Sequence, residues 1–276
     1  MTEYKHYPHE YDEIKSSYQV EMFKRRFNRY QDDPMFVYNM CYNEWLVIMM
    51  KLTSGEIKTS TDESRSVHDK SYAKFQADIL HVCKIINIHN NSMITRLQSD
   101  SNPLITYQVG KSLYMGNDID IDENNNGIDL DNHLSINDGI DYFATLDRVF
   151  FNRSVPASHT GVWVEWYDDG QKKEIGMYIS GKKYGKFTSF YDTGLKQYKC
   201  NYSNGLMDGE LTYWNKYYGT VQEMITYKNG KKNGLYIEYH QILENDRDII
   251  STKGYYEDNK KVGLWTQYNI DGTLKN

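Results

Sequence analysis

Residues 161–208 consist of GVWVEWYDDGQKKEIGMYISGKKY followed directly by GKFTSFYDTGLKQYKCNYSNGLMD, and this stretch decides the fold of the C-terminal part. Each block opens with a glycine, has bulky apolar residues at its third and sixth positions, and continues through a Gly-containing turn into a second run. Three further blocks begin at Gly209, Gly234 and Gly263, so successive starts are 24, 24, 25 and 29 residues apart. A period of this length indicates a repeat architecture.

The bulky positions recur in every block. The third-position residues are Trp163, Phe187, Leu211, Tyr236 and Trp265, and the sixth-position residues are Trp166, Phe190, Trp214, Tyr239 and Tyr268. Short aromatic runs between turns rich in Gly, Asn and Asp predict β-hairpins, and one hairpin cannot bury its own apolar side chains. We therefore predict that residues 155–276 form an all-β single-layer meander of repeated hairpins, with a lengthened loop in 241–253 and an incomplete fifth hairpin.

The Gly-x-Trp-x-x-Trp-Tyr-x-x-Gly core that begins at Gly161 resembles the MORN repeat, in the variant seen in bacterial antitoxin-like proteins and in large DNA viruses. The resemblance extends from Gly161 to the C-terminus. It implies a module that is not catalytic in itself and that mediates protein–protein or protein–lipid contact.

Residues 1–154 carry a different pattern, which predicts an α+β domain. Residues 11–30 have the spacing of a helix, with Ile14, Tyr18, Met22 and Phe23 on one face. Strands are expected within 35–52, 77–88, 92–97 and 104–115, and Thr145 is expected to cap a short helix that runs through Phe151.

Two stretches of this domain, DESRSVHDKSYAKFQADILHVCKI from Asp62 and DGIDYFATLDRVFFN from Asp138, resemble a domain of unknown function in MORN-repeat proteins of giant, mimivirus-like viruses. In that family a His stands where this chain has Asp141, and a Cys lies a few residues earlier where this chain has none. If those groups carry chemistry in the relatives, the resemblance implies that this chain lacks it.

Bulk composition excludes several classes of protein. The net charge is −6, and from Gly161 onward 16 Lys and Arg nearly balance 15 Asp and Glu, so no region has the concentrated positive charge that nucleic-acid binding needs. The three cysteines, Cys41, Cys83 and Cys200, are too sparse for a disulfide framework or a cysteine zinc site. The longest apolar run, Trp45–Met50, is too short to span a membrane. These features predict a soluble, intracellular protein, in the host cytoplasm if it is viral, that needs no cofactor.

The stretch from Asp122 to His133 partly matches a calcium-binding loop. Asp122, Asn124 and Asn126, followed by Gly127, fit the first positions of a calcium-binding loop. The final position, which needs a bidentate Glu, is His133. The stretch is therefore either a weak calcium candidate or an Asn/Asp-rich surface loop.

Lysine pairs occur between the repeats. The pairs are Lys182–Lys183, Lys231–Lys232 and Lys260–Lys261. In a regular array the turns between repeats lie along one edge, so the pairs are expected to form a basic row that meets an acidic partner or anionic lipid. The alternative is that these lysines only keep the edge of the sheet solvated. The tryptophans of the repeats likewise either pack in a core or line a binding groove.

Three functional hypotheses follow. The leading one is a non-enzymatic scaffold for protein–protein interaction. The second is peripheral binding to an anionic membrane through the lysine pairs. The third is an unidentified enzymatic activity in the N-terminal domain, where His81 and Cys83 lie on one face of a predicted strand and are more typical of a core than of a catalytic pair.

Overall fold

A computed structural model describes residues 18–30, 33–53, 58–115, 133–134, 139–241 and 249–275. These residues form mostly antiparallel β-structure, arranged as a seven-stranded sheet, a ten-stranded sheet and a small two-stranded sheet.

Within the described residues, the N-terminal part contains two short α-helices, 3₁₀ helices at Asn28–Tyr30 and Asp62–Ser64, the seven-stranded sheet and the two-stranded sheet. The elements are α1 (Tyr18–Phe27), β1 (Phe36–Cys41), β2 (Trp45–Met50), β3 (Lys74–Ala77), β4 (Ile79–Asn87), β5 (Arg96–Gln98), β6 (Thr106–Gln108), β7 (Ser112–Met115), β8 (His133–Leu134), β9 (Ile140–Phe143) and α2 (Leu146–Phe151). The sheet order is β3-β9-β1-β2-β4-β7-β8, while β5 and β6 form the two-stranded sheet. Both faces of the central strands are buried, so β1 and β2 are almost continuously apolar rather than alternating.

Two apolar cores lie on opposite faces of this sheet. One contains Phe23 of α1, Ile48 of β2 and Phe150 of α2, and it extends to Trp163 and Phe187 of the repeats. The other is formed between the sheet and the segment that carries β5 and β6; it includes Met49, Phe75, Ile105, Tyr107 and Tyr142. The helices and the repeats therefore share one core.

Most of the expected N-terminal strands are present, with different boundaries. Residues 35–52 form the β1–β2 hairpin and Thr145 caps α2 by accepting a hydrogen bond from the backbone N–H of Arg148. Residues 104–115 contain two strands rather than one, and the strand expected at 92–97 is only Arg96–Gln98. The expected helix face is wrong in part: Met22 is 46% exposed, and the buried face is Val20, Phe23 and Phe27, because the domain core and α2 lie on that side.

The repeats form the ten-stranded antiparallel sheet, a long meander as predicted. Its strands are β10 (Gly161–Trp166), β11 (Lys172–Ile179), β12 (Lys182–Phe190), β13 (Lys196–Ser203), β14 (Leu206–Met207), β15 (Gly209–Trp214), β16 (Val221–Lys228), β17 (Lys231–Tyr239), β18 (Ile250–Glu257) and β19 (Lys260–Gln267). Neighbours in sequence are neighbours in space, apart from β14, which pairs only with β13. The lengthened loop lies between β17 and β18, and residues 242–248 of it are outside the described residues.

The glycines that open the repeats share an unusual backbone conformation, and Gly185, Gly234 and Gly263 lie at bulges. All five of these glycines have positive φ, between 64° at Gly263 and 142° at Gly161. At Gly185, for example, Tyr184 pairs with Met177 and Phe187 pairs with Gly176, so two extra residues of β12 bulge out. Glycine adopts positive φ without steric cost, which explains why it recurs at this position.

Successive turns between repeats are joined by backbone hydrogen bonds. The N–H of Gly205 donates to Lys183 O (2.9 Å), that of Gly230 to Met207 O (2.8 Å) and that of Asn259 to Lys232 O (2.9 Å). At the start of the array the N–H of Gly181 donates in the same way to His159 O (2.8 Å). The segment that precedes β10 therefore occupies the place of a preceding turn.

Candidate functional site

The array sheet has two chemically different faces, because side chains alternate along each strand. We call the side that carries the third-position residues the aromatic face. It bears Trp163, Phe187, Leu211, Tyr236 and Trp265, with Gly176, Cys200, Ile225 and Gly254 between them on the intervening strands. The opposite side, which carries Lys182, Lys231 and Lys260, we call the lysine face.

Large and small residues are matched along the aromatic face. A Cβ added to Gly176 lies 2.4 Å from the ring of Phe187, and one added to Gly254 lies 2.3 Å from the ring of Trp265. The rings therefore lie directly against the glycine backbone. In the middle of the array, where the third-position residue is the smaller Leu211, the flanking places hold Cys200 and Ile225. Burial raises the pKa of the Cys200 thiol to about 11, so this cysteine is a core residue rather than a nucleophile.

The N-terminal part covers the first end of the aromatic face. The rings of Phe150 and Phe151 lie 5.7 and 5.2 Å from that of Trp163, and the guanidinium of Arg153 lies 4.2 Å from the ring of Phe150. Trp163 and Phe187 are 2% and 0% exposed. At the other end Trp265 is only half-buried. The tryptophans of the aromatic face are thus packing residues, which favours the core over the groove hypothesis for this side.

Two pairs of glutamates face each other on the aromatic face. Glu165 is the cross-strand partner of Glu174, and Glu223 is the partner of Glu238. Like charges directly opposite each other are unfavourable, and the first pair is compensated by Lys183, whose Nζ lies 2.6 Å from Glu174 Oε2. Tyr198 donates a further hydrogen bond to Glu174, and Tyr236 donates one to Glu223 (3.3 Å).

The lysine pairs lie at the first two positions of β12, β17 and β19 rather than in the turns. Because neighbours in a strand point to opposite faces, each pair is divided between the two sides of the sheet. The second lysine of each pair lies over rings of the aromatic face: Lys183 is 4.6 Å from Phe187, Lys232 is 5.2 Å from Tyr256, and Lys261 is 4.1 Å from Trp265. At the equivalent place between the second and third repeats stand Leu206 and Met207, so the basic row is interrupted.

The lysine face carries most of the remaining strand lysines. Its lysines are Lys182, Lys186, Lys199, Lys228, Lys231, Lys253 and Lys260, and its glutamates are Glu210 and Glu257. The aromatic face carries Glu165, Glu174, Glu223 and Glu238 with Lys183, Lys232 and Lys261. Among these residues lysines outnumber glutamates by seven to two on the lysine face, whereas the aromatic face has three lysines and four glutamates.

A shallow apolar groove lies on the lysine face at the first repeat, with a volume of about 300 Å³. Val162, Ile175, Met177 and Tyr184 line it, and Lys186 lies at its side. Met177 is 43% exposed and Tyr184 is 48% exposed, and the bulge at Gly185 opens the space between them. Adjacent exposed apolar side chains in a concave surface are typical of a binding site.

Sequence reasoning missed most of this surface. It identified Lys182, Lys231 and Lys260 but not Lys186, Lys199, Lys228 or Lys253. The period-two alternation within each strand was the available signal. It was not sufficient, because the two-residue bulges decide which residues are neighbours across strands.

The remaining predicted sites are placed as follows. Asp122, Asn124 and Asn126 lie outside the described residues, and no group of three or more His, Cys, Asp or Glu that could hold a metal occurs within the described ones. Asp141 is ion-paired with Lys74 Nζ (2.8 Å). The side chains of His81 and Cys83 have different partners: His81 Nδ1 lies 3.1 Å from Ser112 Oγ, and the Cys83 thiol donates to the backbone carbonyl of His81.

No protein-family model and no curated protein matches this chain. Among the described residues, no helix is long and apolar enough to cross a membrane.

Proposed function

We propose that this chain is a protein-interaction scaffold of the MORN-repeat type, in which the hairpin array supplies the binding surface. The observation that carries the proposal is the lysine face, a surface that extends over the whole array and combines basic side chains with exposed apolar ones. Strands lie about 4.8 Å apart, so side chains at equivalent positions present regularly spaced contacts to an elongated partner.

In this proposal the N-terminal part is an α+β domain that caps the array. A repeat array needs a terminal unit that covers its exposed apolar end. Phe150 and Phe151 cover Trp163, and the stacked rings of Tyr72 and Trp166 (4.0 Å apart) join the domain to the first hairpin at a second place. Removal of the domain would expose Trp163 and Phe187, so tests of the scaffold use the full chain.

The membrane alternative receives less support from the lysine pairs. Lys183, Lys232 and Lys261 are engaged with aromatic rings on the side opposite their neighbours. Lys231 Nζ lies 3.4 Å from Asp258 Oδ1 in the next turn. The six lysines therefore do not form a single row directed toward an anionic bilayer.

The test is affinity capture with the full-length protein, followed by mass spectrometry. One variant carries Lys182→Glu and Lys186→Glu on the lysine face, and a matched variant carries Glu223→Lys and Glu238→Lys on the aromatic face. We expect the same proteins to be captured by the wild type and by the aromatic-face variant and to be lost from the lysine-face variant. Absence of any captured protein from the wild type would contradict the scaffold hypothesis. Capture that is insensitive to both variants and to a third, Lys253→Glu with Lys260→Glu, would place the binding surface outside the array.

A further inference from the structure

The lysine face is not uniform. Lys182 and Lys186 lie on β12 and Lys199 lies on the neighbouring β13, all close to the apolar groove in register. On β15 the face carries Glu210 instead, and lysines reappear only from Lys228 of β16 onward. Two basic regions are thus separated by a strand that carries Glu210, and the first of them adjoins the groove described above.

The first region combines charge and shape at a short distance. Lys182 and Tyr184 point to the same side of the strand, and Met177 is the cross-strand partner of Tyr184. Lys186 follows the bulge at Gly185 and lines the groove together with Met177 and Tyr184. A volume of about 300 Å³ is sufficient for an apolar side chain but small for a separate organic ligand. The groove is therefore suited to one anchoring residue of a longer chain.

We propose that the β10–β13 part of the lysine face binds an acidic, extended segment of a partner protein, with one bulky apolar side chain in the groove between Met177 and Tyr184. This inference rests on the proposed scaffold function and specifies the chemistry of the partner. Carboxylates on either side of the anchor meet Lys182 and Lys186, and a carboxylate farther along meets Lys199.

A peptide fits this surface better than a bilayer does, for two reasons. Residues that insert into a membrane protrude from the surface, whereas Met177 and Tyr184 line a concave groove. Glu210 and Glu257 on the same face repel an anionic bilayer, whereas a short segment over β10–β13 reaches neither strand that carries them.

The test measures binding of a fluorescein-labelled peptide, made of glutamates with one leucine at its centre, to the full-length protein by fluorescence polarisation. We expect binding that weakens as salt is raised, because the contacts are screened charges. The Lys182→Glu, Lys186→Glu double variant is expected to weaken it at least about tenfold, that is by about 1.4 kcal/mol. A Lys253→Glu, Lys260→Glu variant has the same charge change far from the groove, and we expect it to weaken binding less than about threefold.

The anchor is tested separately. Replacing the central leucine of the peptide by serine, or Met177 by serine in the protein, is expected to weaken binding several-fold. Met177 is 43% exposed, so its replacement leaves the core intact. Should the double variant fail to fold by circular dichroism, the neutral single variant Lys186→Gln takes its place, with a smaller expected loss.

Several results would overturn the inference. They are no binding of the peptide to the wild type, equal losses in the two lysine variants, and no effect of either anchor change. Binding of vesicles that contain phosphatidylserine, abolished by Lys182→Glu and Lys186→Glu while the peptide does not bind, would assign the surface to a membrane. If captured partners persist in the Lys182→Glu, Lys186→Glu protein but are lost from the Lys253→Glu, Lys260→Glu protein, the acidic-segment inference fails while the array remains the binding surface.

Discussion

The two faces of the array are built from the same strands but differ in the exposure of their side chains. On the aromatic face Phe187 is 0% exposed and Ile225 is 2% exposed, whereas on the lysine face Tyr184 is 48% exposed and Leu264 is 83% exposed. The aromatic face therefore contributes mainly to stability, whereas the lysine face combines buried residues at the first hairpin, such as Val164 and Ile175, with a solvent-facing surface. Changes on the two faces should have separable effects on unfolding and on binding.

The largest expected effect is on the aromatic face. Phe187→Ala removes a fully buried ring that contacts Tyr178 and Tyr202, and it opens a cavity in the core shared with the N-terminal part. We expect the free energy of unfolding, measured with urea, to fall by about 3–5 kcal/mol. The control is Lys186→Ala, the preceding residue on the lysine face, which should stay within about 0.5 kcal/mol of wild type. Equal losses in the two variants would remove the distinction between the faces.

A second prediction compares the two ends of the aromatic face. Gly176→Ala places a Cβ 2.4 Å from the ring of Phe187, which the N-terminal part holds in place, and we expect a loss of about 1–3 kcal/mol in urea unfolding. Gly254→Ala places a Cβ 2.3 Å from the ring of Trp265, which lies at the open end and has room to move. The loss at Gly254 should be the smaller of the two. The reverse order would show that the N-terminal part does not fix the aromatic row.

A third prediction tests the division of the lysine pairs. Lys183→Ala removes the ion pair with Glu174 and the contacts with Phe187 and Tyr202, and leaves Glu174 opposite Glu165 without a neighbouring cation. We expect about 1 kcal/mol of destabilisation in urea unfolding. Lys182→Ala, one residue away on the other face, should change stability by less than about 0.5 kcal/mol. Equal free energies of unfolding in the two variants would mean that Lys183, like Lys182, makes no stabilising contact.

A smaller effect should appear in the pH dependence of stability. His159 is fully buried against Trp163, and this burial lowers its pKa from the ordinary value of about 6.5. The unfolded chain therefore binds a proton that the folded protein excludes, so stability should fall as pH drops below about 6.5. Urea unfolding between about pH 7 and pH 5.5 measures this loss, above the range in which Glu63, with its lowered pKa, begins to titrate.

The matched variant is His159→Gln, in which the slope should become shallower. It should not vanish, because burial also lowers the pKa of His81 and the unfolded chain protonates there too. An unchanged slope in the His159→Gln protein would show that protonation of His159 does not contribute to the pH dependence of stability.

Local sequence predicted the array closely, and in the N-terminal part it predicted most strands and the Thr145 cap but not the packing of the helix. The hairpins follow from short-range physics, since each turn and each repeat-opening glycine has its conformation set by neighbouring residues. In the N-terminal part the exposure of Met22 depends on where α2 and the first repeat pack, and those residues are more than a hundred positions away in the chain. Helical spacing alone contains no information about which apolar residues will find a partner.

The sequence by itself determined the repeat period, the hairpin meander and the alternation of side chains, because these depend on residues within one turn or one strand. Only the tertiary structure decided which lysines share a surface and which end of the aromatic row is covered. Lys186 and Lys199 belong to one basic region through the pairing of β12 with β13, and Trp163 is buried because α2 returns to it. Both outcomes depend on contacts between elements whose register and docking are fixed only when the whole chain packs.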